Sequence, residues 1–291
     1  MNQHRVALVT DSTCDIPNEL IAQYGITVVP LHVVWGGETF RDRVDLDPRA
    51  FYRRLTEDAE YPTTAHPTPD EFVETYKKIL QEGSDEIVVI TLSSELSGAF
   101  ESASQASTMI DEPVLVFDSK GTTMSLGWQV LAAARARRAG ADARAMVEAA
   151  GEIRRRIALF VSLDTLEYLH KGGRIGGATR FIGSLLDVKP LVYVDHETGR
   201  VEAAGRVRTR QRGLRTLYRR FFEQLDTEGV MHIAVLHGDA PQDAEQIAEQ
   251  IEREFAPAEL LIDITGPVLG VHTGPRAIAL CGYSEDRKGS E

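Results

Sequence analysis

Three apolar runs early in the chain each end in a cluster of hydroxyls, and no other feature limits the fold as much. Val6-Ala7-Leu8-Val9 meets Thr10-Asp11-Ser12-Thr13, Ile87-Val88-Val89-Ile90 meets Thr91-Leu92-Ser93-Ser94, and Val114-Leu115-Val116-Phe117 meets Asp118-Ser119. The carboxyl ends of strands are where open α/β sheets bind ligands. Hydroxyls gathered there can hold a polar group without carrying charge themselves.

The segments between these runs read as helices. Asp15-Ile16-Pro17 opens one that closes at Gly25, with proline in the first turn and glycine past the end. Ile26 to Val34 reads as a second strand turned by Gly36-Gly37, and Asp47-Pro48 opens a short helix through Leu55. Thr68-Pro69-Asp70-Glu71 carries a capping box with proline at the first helical position, and its helix runs to Gly83. Further helices are expected over 98–110, 124–139 and 142–156. Strands separated by helices imply βαβ units and a parallel sheet.

The pattern changes near residue 158. Leu159-Phe160-Val161 reads as a strand, Asp164 to Leu169 as a short helix, and 178–186 as another. Lys189 to Val194 and Gly199 to Ala203 flank Asp195-His196-Glu197-Thr198, a hairpin signal. Helices over 210–225 and 241–255 and strands over 231–236 and 259–264 follow. Hairpins mixed with helices predict an α+β domain with a largely antiparallel sheet. The division expected is 1–157, 158–284 and a flexible tail over 285–291.

Composition narrows the function. A net charge of −12 argues against nucleic acid and against a general electrostatic grip on anionic membranes. No apolar run reaches the ~18 residues of a membrane span. The first residues show no apolar signal region, so the expected setting is the cytoplasm, with Cys14 and Cys281 as reduced thiols. Seven arginines fall between Arg206 and Arg220. They read either as a docking patch for an acidic or phosphate-bearing partner or as a solvated helix face.

Phosphate-loop, dinucleotide, nucleophile-elbow and zinc-protease motifs are absent, so neither a cofactor nor a metal is expected. Gly172-Gly173-Arg174-Ile175-Gly176-Gly177 is glycine-rich but follows a helix with the wrong spacing for a dinucleotide. Three positions remain. Ser93, Ser94 and Ser97, with Gly98, sit at a strand-to-helix junction suited to a carboxylate or phosphate, or to plain capping. Thr63-Thr64-Ala65-His66-Pro67 lies in a turn between helices. His272, in Gly270-Val271-His272-Thr273-Gly274-Pro275, is either satisfied by backbone or placed to donate to an oxyanion.

Together these segments resemble the DegV family of bacterial fatty-acid-binding proteins. The matching blocks run in order: Val9-Thr10-Asp11-Ser12-Thr13, Pro62-Thr63-Thr64 through Phe72, Leu92 to Ala99, Val116-Phe117-Asp118-Ser119, Leu166 to Ile175, Lys189-Pro190, Arg208-Thr209-Arg210 and His272-Thr273-Gly274-Pro275. The resemblance implies an α/β protein of the family's EDD fold. A Rossmann-like parallel-sheet N-terminal domain and a smaller α+β C-terminal domain would hold one long-chain fatty acid between them, in an apolar tunnel.

It implies that the carboxylate meets Thr64, Ser93, Ser94 and His272, with Thr63, Ser97, Gly98, Thr273 and Gly274 in support. It further implies a carrier without chemistry of its own, which presents the acid to a fatty acid kinase for acyl phosphate formation in phospholipid metabolism. Arg174, Arg208 and Arg210 are implied docking residues. Ala65, His66 and Arg276 depart from the family pattern. The alternatives are a dispersed serine hydrolase built from Ser93 or Ser94 with His272 and Asp11, and a carrier of another amphipathic acid.

Overall fold

A computed structural model describes residues 4–184 and 188–286. The chain divides into two units, each discontinuous in sequence. The first comprises Met1–Leu46, Pro62–Arg155 and His196–Arg200; the second comprises Asp47–Tyr61, Arg156–Asp195 and Val201–Glu291. The sequence places one boundary near 158, and the two exchanged segments, 47–61 and 196–200, are what a linear reading leaves out.

The first half of the chain runs β1 (Val6–Asp11), α1 (Asn18–Tyr24), β2 (Ile26–Val29), β3 (His32–Trp35), β4 (Glu38–Arg41), α2 (Pro48–Glu57) and β5 (Thr63–Ala65). It continues with α3 (Pro69–Gln81), β6 (Glu86–Thr91), α4 (Ala99–Ser107), β7 (Val114–Asp118), α5 (Met124–Arg138) and α6 (Ala143–Arg156). The expected parallel sheet is present, in the order β2-β1-β6-β7. Its central strands read as continuous apolar runs because helices cover both faces; Val9 and Ile87 through Ile90 are wholly buried. The capping box forms as expected, Thr68 accepting from Glu71 N–H while the Glu71 carboxylate accepts from Thr68 N–H.

Two expectations need correction here. The run from Ile26 to Val34 is two strands, because Pro30 has no N–H to give a ladder and the chain leaves the sheet there. The second piece, β3, enters a separate antiparallel sheet ordered β4-β3-β5. Thr63 to Ala65, expected in a turn, form the third strand of that sheet, with Thr64 opposite Val33.

The second half runs β8 (Ala158–Ser162), α7 (Glu167–Lys171), a 3-10 helix (Gly176–Ser184), β9 (Lys189–Val194), β10 (Val201–Val207), α8 (Arg210–Gln224) and β11 (Val230–His237). It ends with α9 (Pro241–Phe255), β12 (Glu259–Ile264), α10 (Pro267–Thr273) and β13 (Ile278–Glu285). The sheet order is β10-β9-β8-β13-β11-β12, antiparallel except for β11 with β12. Leu217 and Phe221 of α8 and Ala244 and Ile251 of α9 pack on Ile233, Val235 and Leu280 of the sheet. Strand β13 and helix α10 are additions to the sequence reading. Glu285, expected in the tail, is the last residue of β13, opposite Val230. Residues 287–291 of that tail, and 185–187 of the helix expected over 178–186, lie outside the described residues.

Candidate functional site

In the first unit the sheet order changes direction between β1 and β6, and both strands end in hydroxyls. Such a switch point is where open sheets form a ligand crevice. Asp11, wholly buried at the end of β1, organises it. Its Oδ1 accepts from the Thr13 N–H at 3.0 Å and the Thr13 hydroxyl at 2.6 Å, and its Oδ2 accepts from the Leu92 N–H at 2.7 Å. The carboxylate thereby fixes the residue that opens the serine loop. Burial pushes its pKa up to about 6, although these hydrogen bonds pull it the other way.

The serines after β6 are already engaged. Ser93 is wholly buried; its hydroxyl donates to the Gly199 carbonyl at 2.8 Å and accepts from Glu95 N–H at 3.2 Å. The Ser94 hydroxyl donates to Asp118 Oδ2 at 2.6 Å and accepts from Lys120 Nζ at 3.2 Å, while Lys120 also pairs with Asp118 at 3.0 Å. Lys120 holds this position with φ of 51°, a left-handed backbone that a non-glycine residue seldom adopts. Ser97 accepts from Ala99 N–H at 3.3 Å, beside Gly98 at the N-cap of α4.

Thr64, half-buried in β5, lies two residues from His66, whose ring rests on Gly98. A Cβ at Gly98 would lie 2.8 Å from the His66 Cε1, so only glycine permits the contact. The structure thus joins the Thr63–His66 segment to the Ser93–Gly98 loop within one unit.

The second cluster belongs to the other unit and centres on His272 at the end of α10. Its ring rests on Gly172, where a Cβ would lie 2.1 Å from Nδ1. Burial, with the Arg174 charge nearby, lowers its pKa to about 4, so the imidazole is neutral at ordinary pH. Thr273 turns its hydroxyl back to the Leu269 carbonyl at 3.0 Å. Gly274 has φ of 72°, and a Cβ there would lie 2.2 Å from the Tyr168 ring. Tyr168 packs on Tyr61 with centroids 5.7 Å apart, and the Tyr61 hydroxyl donates to the Val271 carbonyl at 2.6 Å.

The implied docking arginines differ in kind. Arg174 and Arg208 are exposed. Arg210 pairs with Asp243 and, at 3.0 Å, with Asp164, and donates to the Arg276 carbonyl at 2.8 Å. Its guanidinium is tied within its own unit. Of the residues named for the alternative dispersed triad, Asp11 accepts from Thr13 and from Leu92 N–H through its two oxygens. Among the described residues, no group of three or more His, Cys, Asp or Glu side chains could hold a metal, and no helix is long and apolar enough to cross a membrane.

Asp11 and His272 pull acid stability in opposite directions. His272 falls from 6.5 to about 4, so its contribution is complete above pH 6.5 and lost as pH drops toward 4. Asp11 rises from 3.8 to about 6, so its contribution is complete below pH 3.8 and lost as pH climbs toward 6. Urea denaturation across this window is expected to show Asp11→Asn gaining stability with pH more steeply than the parent chain, and His272→Gln less steeply. Parallel profiles for all three proteins would refute the assignment.

A family model matches residues 5–285, essentially the whole described chain; its description reads "Uncharacterised protein, DegV family". The chain is a member of the DegV family. A DegV domain-containing protein of Streptomyces coelicolor is 38% identical over 277 residues, covering 94% of this chain and 96% of that protein. Solved structures of relatives carry functional descriptions, two of which follow. A DegV family protein of Thermus thermophilus, described by its fatty acid binding, is 33% identical with a TM-score of 0.87, covering 97% of this chain and 100% of that one. DegV of Bacillus subtilis, described as a fatty acid binding protein, is 32% identical with a TM-score of 0.89 at the same coverage.

Several DegV residues here escape sequence reasoning. Lys120 follows a hydroxyl tip that the sequence does mark, but its contact with Ser94 depends on β7 lying beside β6. Gly172 and Gly199 sit in turns where glycine is ordinary, and only the fold shows which side chain each admits.

Proposed function

We propose that this chain binds one long-chain fatty acid and acts as its carrier, presenting the carboxylate to a partner fatty acid kinase in the cytoplasm for phospholipid synthesis. The observation that carries the reading is the likeness, over 97% of the chain, to two DegV structures described as fatty acid binding. Thr64, Ser93, Ser94 and His272 are the proposed carboxylate residues, and Arg174, Arg208 and Arg210 the proposed docking residues.

The chemistry of these groups supports that role. Burying ~14 methylenes at roughly 0.8 kcal/mol each yields about 11 kcal/mol before ordering costs, so the tail supplies the affinity. The head group then requires hydrogen-bond donors, because a desolvated carboxylate without them is costly. Threonine and serine hydroxyls and a neutral imidazole meet that need without a bidentate arginine clamp, which would occupy both oxygens and hinder transfer.

Native mass spectrometry of the purified protein is expected to find a co-purifying fatty acid. Thr64→Ala or His272→Ala is expected to weaken palmitate binding roughly tenfold, or about 1.4 kcal/mol. An empty protein that takes up no acid in titration would sink the reading. Fluorophosphonate labelling that disappears in Ser93→Ala or Ser94→Ala would point to a hydrolase instead.

A further inference from the structure

We propose that the Ser93 hydroxyl is a latch that donates its single hydrogen bond either to the Gly199 carbonyl or to a bound carboxylate, so that loading the site loosens the hairpin tip at residues 195–200. The inference rests on the reading of Ser93 as a head-group residue and adds a regulatory consequence to it.

Ser93 is wholly buried and its donor is committed to Gly199 at 2.8 Å. A serine hydroxyl has one proton to donate, and a carboxylate is an acceptor only. Ser93 therefore cannot serve both partners. Gly199 is shaped for the latched state: φ is 78°, and a Cβ would stand 2.2 Å from the Ser93 oxygen. The Lys120 stem also touches this position, with its Cδ 3.0 Å from where that Cβ would be. Once the hydroxyl donates to the carboxylate instead, the buried Gly199 carbonyl loses its donor. The neighbouring Arg200–Glu95 pair, at 2.8 Å, is exposed, and such pairs hold little on their own. Glu197, Thr198 and Arg200 face solvent. A partner protein could read the change there without touching the ligand.

The test is hydrogen exchange by mass spectrometry on the peptide spanning 195–201, with fatty-acid-stripped protein and palmitate as the probe. Loading is expected to speed exchange of this peptide at least roughly threefold. Ser93→Ala is expected to exchange fast in both states and to bind palmitate roughly tenfold more weakly. Gly199→Ala drives the hydroxyl off its acceptor without deleting it. It should bind palmitate at least as tightly as the parent and show tip exchange that no longer responds to loading.

Palmitate binding with unchanged exchange in the parent chain overturns the latch and leaves the fatty acid reading intact. Gly199→Ala weakening palmitate as much as Ser93→Ala also overturns it. A parent chain that binds no palmitate overturns both proposals. The comparison on the parent chain is decisive even where Gly199→Ala does not fold.

Discussion

Gly172→Ala is expected to weaken fatty acid binding as much as His272→Ala does, roughly tenfold or about 1.4 kcal/mol, although the added methyl belongs to a residue with no assigned contact to ligand. The backbone at Gly172, with φ of −76°, suits alanine, so the substitution brings no conformational strain. The conflict is local. The new Cβ would stand 2.1 Å from Nδ1 and 2.8 Å from Cε1 of His272, and 3.2 Å from the Tyr168 carbonyl. The imidazole must swing away, and the head-group donor proposed for His272 would lose much of its effect if displaced by about 1 Å. The double variant gives the sharper reading. Once His272 is alanine there is no ring to displace, so Gly172→Ala should add almost nothing, and the two changes should couple strongly. Additive losses in a titration of all four proteins would show that Gly172 acts elsewhere.

Gly274→Ala is expected to cost stability rather than affinity alone, by about 3 kcal/mol or more. Two penalties combine. The backbone at φ 72° and ψ 176° lies in a region that essentially only glycine occupies. The Cβ would also enter the Tyr168 ring, 2.2 Å from Cδ2. Tyr168→Ala removes the second penalty and leaves the first, so the pair should recover part of the loss and not all of it. Urea denaturation of the two single variants and the double variant separates the terms. A Gly274→Ala protein as stable as its parent would mean that this turn rearranges freely.

How much of this was legible in the sequence depends on how local the cause is. The βαβ alternation, the capping box at Thr68 and Glu71, and the hairpin around Asp195 to Thr198 all rest on residues close in the chain, and all appear in the structure. Strand β5 rests on pairing between Thr64 and Val33, and a three-residue run has no period of its own to announce it. Strand β13 is buried between β8 and β11, so it lacks the alternation of a half-exposed strand. The same holds at the site. Glycines around His272 marked it as a place of close approach, and Gly274 indeed admits the Tyr168 ring. The seats beneath His272 and Ser93 could not be read this way. Gly172 and Gly199 are each about a hundred residues distant in the chain from the side chain they admit, and nothing near either one names its partner.

The ties made by Arg210 bear on how any alanine scan of the arginine-rich segment will be interpreted. Arg208 projects into solvent, whereas Arg210 joins Asp164, Asp243 and the carbonyl of Arg276. Removing Arg210 takes the guanidinium from Asp243 and one partner from Asp164, which keeps Lys189 at 3.3 Å, so a lost interaction with a partner must be told apart from a local rearrangement. A scan that checks thermal melting beside binding would separate a residue that is touched from one that merely keeps its neighbours in place.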